Sequence, residues 1–124
     1  MKDSMAIDYN DQRLDRGLRS LVLEHRSGRL SEFTSWDWDE VHLFDEYSDR
    51  EFIENTVGAP VIRSRYPDSK GNLLVFKLKG EPIKAAGISP DFLRTEDHRV
   101  TFPSDVMLEP WGDGCLMLTV AASR

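Results

Sequence analysis

EFTSWDWDEVHLFDEYSDREF, residues 32–52, changes its hydrophobic period partway along, and the fold class follows from that change. From Trp36 the period is two: Trp38, Glu40, His42 and Phe44 would point one way along a strand, and Asp37, Asp39, Val41, Leu43 and Asp45 the other. The middle of that strand, VHLF, is apolar enough to be covered on both faces. Ser48 then opens SDRE, which has the spacing of a capping box in which Ser48 and Glu51 satisfy each other's backbone N–H groups. Tyr47 and Phe52 stand where a hydrophobic staple would close over the cap, and Asp49 and Glu51 lie at the positive end of the helix dipole. Gly58 followed by Pro60 stops the helix, which the pattern places at about Asp49 to Val57.

Working outward, Leu14, Leu18, Leu21, Val22 and His25 form one apolar stripe, predicting an amphipathic helix from Asp11 to Ser27 with Gly28 as its stop. C-terminal to the central stretch the chain reads as strands and turns. VIRSRY and LLVFKLK are joined by PDSKGN, and KGEP turns the chain into IKAAGI. SPDFLRTEDH reads as a loop or short helical turn capped by Ser89 with Pro90 at its first position. RVTF, VMLEPW, the GDG turn and CLMLTVA complete the sheet, with Pro103 and Pro110 confined to strand ends or edges. The expectation is an α+β fold: residues 1–10 a flexible N-terminus, then one domain over 11–124. Its largely antiparallel β-sheet, of about five to six strands, packs with two helices.

A chain of 124 residues holds one core, and 40% hydrophobic with 31% charged residues fits a folded soluble domain rather than a disordered one. No apolar run approaches the roughly 18 residues of a membrane span, and the opening MKDSMAIDYNDQ has no apolar core of the signal-peptide kind. A cytoplasmic location and no membrane partner are therefore expected. Cys115 cannot form an internal disulfide and sits in the apolar run CLMLTV, where it reads as a structural thiol.

The net charge of −6 is unevenly spread. Residues 31–59 carry nine acids and one base, whereas the segments on either side each have one more base than acid. Such a concentration disfavours nucleic acid as the partner of that surface and favours a basic protein. The plain alternative is a solvated acidic face that keeps the protein soluble.

Asp37, Asp39, Glu40 and His42 are all possible metal ligands, but on a strand the first two face away from the last two, and no paired-His, paired-Cys or EF-hand spacing occurs. No metal and no cofactor are expected. Glu40 and His42 share a strand face and form the best acid–base pair available, against the reading of a satisfied histidine beside a surface carboxylate. His98, in TEDHR, reads as solvated. No nucleophile elbow or phosphate loop is present, so no catalytic residue is assigned. Trp36 and Trp38 could be core, yet a tryptophan ringed by acids is also the composition of a binding hot spot.

The run WDWDEVHLF, SDREFIENTVGAP and NLLVFKLKGEPIK resembles a group of small uncharacterised bacterial proteins sharing a W-D-x-V-x-x-F strand, a capped helix ending at Gly and an LLVF strand before a Lys-Gly turn. The likeness covers about Trp36 to Ile88 and implies a fold rather than an activity; many members look like secreted lipoproteins, whereas no signal peptide is expected here. As a small acidic α+β chain with one acidic aromatic face, it also resembles in type the immunity proteins that neutralise bacterial toxins, often nucleases. That resemblance implies a non-enzymatic protein-binding module for a basic cognate toxin and carries over no functional residue; the chain's own acidic aromatic stretch supplies the expected contacts, Trp36, Asp37, Asp39, Glu40, Asp45, Glu46 and Glu54, and a monomer is expected. The alternatives are a small ligand-binding domain or enzyme using Glu40 and His42 in a cleft, and a structural or adaptor protein.

Overall fold

The computed structural model describes residues 6–63, 65–66 and 71–120. These form a small α+β domain of two α-helices and nine strands in two mixed sheets. The elements are β1 (Ile7–Asp8), α1 (Gln12–Glu24), β2 (Gly28–Arg29), a 3-10 turn (Leu30–Phe33), β3 (Glu40–Phe44), α2 (Arg50–Val57), β4 (Asn72–Leu78), β5 (Glu81–Ile88), β6 (Leu93–Arg94), β7 (Thr101–Pro103), β8 (Met107–Trp111) and β9 (Cys115–Thr119).

The first sheet runs β1-β5-β4-β3-β7 and the second β2-β8-β9-β6. The single sheet expected from the sequence is therefore two. Most pairs are antiparallel as expected, but β1 joins β5 and β6 joins β9 in parallel, through two residue pairs each. Strands this short carry no readable alternation, and neighbouring strands recruit them. Residues 1–5 of the expected flexible N-terminus lie outside the described residues, while Ile7 and Asp8 pair with Ala85 and Ala86.

Strand β4 occupies the middle of the first sheet, between β3 and β5. Leu74 and Phe76 face one way, meeting Val41 and Leu43 of β3, the α1 leucines 14, 18 and 21, and Leu108, Leu116 and Leu118 of the second sheet. Leu73 and Val75 face the other way and meet Phe44, Ala85, Ile53 and Val57 of α2, and Val61 and Ile62. The first sheet is thus a middle layer, with α1 and the second sheet on one side and α2 on the other. Val61 and Ile62 are buried without belonging to a strand, so VIRSRY is not the first arm of a hairpin; its proposed turn at 67–70 lies outside the described residues.

Local chemistry sets the ends of the helices. Asp11 caps α1, accepting from Leu14 N at 3.1 Å. The helix ends before Gly28, because His25 turns left-handed at φ 53° and its N–H closes on Leu21 and Val22. His25 is consequently exposed and does not extend the apolar stripe. For α2 the N-cap is Asp49, accepting from Phe52 N at 2.9 Å, rather than Ser48. Ser48 is held instead by Asp45, whose Oδ1 accepts its hydroxyl at 3.2 Å and Tyr47 N at 2.9 Å. The Ser48–Glu51 capping box is therefore not formed. Gly58 ends α2 at φ 86°, as its position in the sequence implied. Of the loop or helical turn expected after Ser89, the structure has the loop, which leads through bends into β6.

The Phe33 ring lies directly where a β-carbon on Gly17 would go. In an open helix, Gly→Ala gains about 1 kcal/mol. Here the ring must be displaced, so Gly17→Ala should instead destabilise the protein by about 1–3 kcal/mol in urea unfolding. A raised unfolding midpoint would contradict this packing.

Candidate functional site

An extended chain is long for its residue count, and this fact decides where the acids go. Asp39 and Asp45 bracket β3 and are separated by roughly 20 Å at the usual rise per residue. Asp37 and Asp39 therefore lie at one end of the strand and Asp45 and Glu46 at the other. The acidic stretch of the sequence is two separate acidic regions in space.

At the first end both tryptophans have structural employment. Trp38 is 8% exposed and donates from Nε1 to Thr34 Oγ1 at 2.9 Å. Regular alternation would put Trp38 on the Phe44 face, but β3 begins only at Glu40. The tryptophan instead joins Val41 and Leu43 in the opposite cluster. Trp36 is half-buried. The rings of Trp36 and Trp38 flank Phe76 edge-on, with centroids 5.1 and 5.0 Å away, and Lys84 Nζ sits 4.7 Å from the Trp36 ring centroid. Trp36 Nε1 is buried without a hydrogen-bond partner among the described residues. Asp39 accepts from Lys79 N at 3.0 Å, pinning the β4–β5 turn, where Lys79 and Gly80 both take positive φ as a two-residue hairpin loop requires. Asp37 is exposed and lines a polar hollow with Arg29 and Asp105.

At the second end a cleft of about 400 Å³ opens between the 45–52 segment and the chain from Asp91 to Val100. That volume is in the range of ligand clefts, about 300–1,000 Å³. Leu43, Leu93 and Val100 floor it; Asp45, Asp91, Arg94 and His98 add charge or titratable groups. Two aromatic side chains at this cleft are largely unburied. Tyr47 is 77% exposed, and Phe52 is 45% exposed although its ring meets Phe44 edge-on at 5.8 Å. With the cap moved to Asp49, Tyr47 loses the staple position. Its phenol pKa is raised by a hydrogen bond to Glu46 and by the charges of Glu46, Asp91 and Asp45, so several carboxylates act on one exposed ring. Arg94 is neutralised locally: Nη1 donates to Asp91 Oδ1 at 2.9 Å and to the carbonyls of Asp91 and Leu93.

Glu54, on α2, lies 3.8 Å from Arg50 as a surface pair. Of the seven contacts expected from sequence, Asp45, Glu46 and Glu54 thus belong to the cleft end of β3 or to α2. Trp36, Asp37, Asp39 and Glu40 belong to the other end or to the strand itself. Sequence reading missed Asp91, Arg94, Thr95 and His98 as cleft residues, because distant contacts bring their loop there: β6 with β9, the Asn72 side chain with the Leu93 backbone, and Leu43 N with Val100 O; His98 is exposed, as its polar surroundings suggested. It also passed over Trp111, which is 53% exposed. Tyr47 was visible, set between Glu46 and Asp49, but was assigned to the staple.

Glu40 and His42 do share a strand face, with His42 Nε2 3.6 Å from Glu40 Oε1. His42 is only 3% exposed, its Nδ1 is 2.9 Å from Thr101 Oγ1, and neither residue lines the cleft or the polar hollow. Among the described residues no three His, Cys, Asp or Glu side chains gather as a metal site would need, and no helix is long and apolar enough to cross a membrane.

No protein-family model matches the chain, no curated protein matches its sequence, and no solved structure matches its fold. The described residues form a small α+β domain with an acidic, aromatic-rimmed cleft at one end of β3 and a polar hollow lined by Trp36, Asp37, Trp38 and Asp105 at the other.

Burial lowers the pKa of His42, Lys77 lowers it further, and Glu40 opposes them more weakly. The unfolded chain, with an ordinary histidine near 6.5, therefore binds the proton more readily than the folded one. Stability should be fully present above about pH 7 and fall as the pH drops through roughly 6.5 toward 5. Urea unfolding at these pH values should show this loss, and His42→Phe should flatten the curve in that window. An unchanged slope in the variant would exclude His42 as its source.

Proposed function

We propose that the chain is a non-enzymatic protein-binding module that docks a basic partner, in the manner of immunity proteins that neutralise toxins. The docking surface is the cleft end of β3 and the start of α2. The observation that supports this reading is the exposure of Tyr47 and Phe52 among Asp45, Glu46, Glu51 and Asp91, beside a cleft. Large aromatic rings left in water are poor for stability but serve as anchors in interfaces, where they order at low entropic cost. Carboxylates around them attract a basic surface over distances comparable to the Debye length, and such steering raises association rates by about 10- to 1,000-fold at low salt. Anchors then slow dissociation, so the two residue types divide the work.

This surface is narrower than the one expected from sequence. Asp45, Glu46 and Glu54 remain in it. Trp36, Asp37, Asp39 and Glu40 lie outside its centre, because Trp36 is packed on Phe76, Asp39 serves a turn, and Glu40 is beside His42.

Tagged protein should capture the partner from the native host's lysate, and the purified pair allows association to be followed over a salt series. Association should slow as salt rises, and Glu46→Lys with Glu51→Lys should slow it about tenfold at low salt. Asp37→Lys, at the far end of β3, should have a much smaller effect. Rates indifferent to salt, or an equal effect from both ends, would show that this surface is not the one used.

A further inference from the structure

We propose that the cleft beside Tyr47 receives one arginine side chain from the protein partner, with its guanidinium held by Asp45 and Asp91 and lying against the Tyr47 ring. This deepens the partner-binding reading and rests on it. Every bond that Asp45 and Asp91 accept from the described residues falls on Oδ1, so both Oδ2 atoms are left without a donor among those residues. The cation already in the cleft, Arg94, donates to neither Oδ2 in the hydrogen bonds of the described residues. Its Nη1 is committed to Asp91 Oδ1 and two carbonyls.

The cleft thus combines open carboxylate oxygens, exposed aromatic surface and an apolar floor in one recess of about 400 Å³. Arginine satisfies all three. Its planar guanidinium offers several N–H donors in a fork that can serve two carboxylates at once, its flat face stacks on an aromatic ring, and its methylene stem tolerates an apolar lining. Lysine presents a compact, strongly hydrated charge that fits the recess less completely. The raised pKa of the Tyr47 phenol agrees with this placement, since Glu46, Asp91 and Asp45 all act on it.

The full chain, labelled with ¹⁵N, should be titrated with acetyl-Gly-Arg-Gly-amide, with the citrulline peptide of the same shape, and with spermidine. Arginine should move the backbone signals of residues 45–52 and 91–98, and citrulline should not. Asp45→Asn keeps the Oδ1 acceptor that holds Tyr47 and Ser48, and Tyr47→Ser removes a side chain that is mostly in water, so both variants should fold. Each should weaken the arginine peptide by about three- to tenfold, with Trp111→Ser as an unaffected control. No shifts with arginine, equal shifts with citrulline, or spermidine binding the cleft more tightly would each overturn the assignment. Shifts confined to Asp37 and Asp105 would overturn it while leaving a salt-dependent partner complex possible. A partner whose association ignores salt would instead undo the broader reading.

Discussion

Strand β4 must be kept from water on both of its faces, and the remaining elements are arranged to do so. A strand with one apolar face needs a single covering layer, but Leu74 and Phe76 on one side with Leu73 and Val75 on the other demand two. The domain supplies α1 and the second sheet for the first face and α2 with the Val61–Ile62 segment for the second. Phe76 concentrates this dependence: it is fully buried, with a tryptophan ring edge-on at either side. The acidic tryptophan motif that stands out in the sequence is thus largely a device for sealing one end of the central layer.

The same arrangement explains the split of the acidic stretch. β3 must lie flat against β4 to share its burial, so it is extended, and an extended strand carries its flanking residues apart. Had the segment been helical, the same acids would have formed one compact patch. Charge density along a sequence becomes charge density on a surface only through the rise per residue of the element that carries it.

Much of the fold was legible because it rests on local chemistry. The α1 leucines, the Gly58 terminator, the Lys79–Gly80 turn and the strands that became β4, β5, β7, β8 and β9 all carry short-range signals. The departures come from competition between neighbours of similar chemistry. Asp49 and Ser48 can both cap a helix, and Asp45 settles the matter by engaging Ser48 first. Trp38 changes face because the residues before Glu40 are not in the strand, so alternation does not extend to them. The cleft was only half legible. Asp45 and Tyr47 are neighbours in sequence, but Asp91 and Arg94 arrive through the parallel pairing of β6 with β9 and the bonds between Asn72 and the Leu93 backbone, which leave no local trace.

The outer side of β5 has a further consequence. Among the described residues, β1 pairs with it at Ala85 and Ala86, and none pairs with the outer side of the stretch from Glu81 to Lys84. Uncovered borders invite other chains to add strands and so begin aggregates. This one carries Glu81, Lys84 and, between them, Pro82, which has no N–H to offer an incoming strand. Charge and a missing N–H thus flank the exposed Ile83, a composition that disfavours strand addition there, far from the cleft.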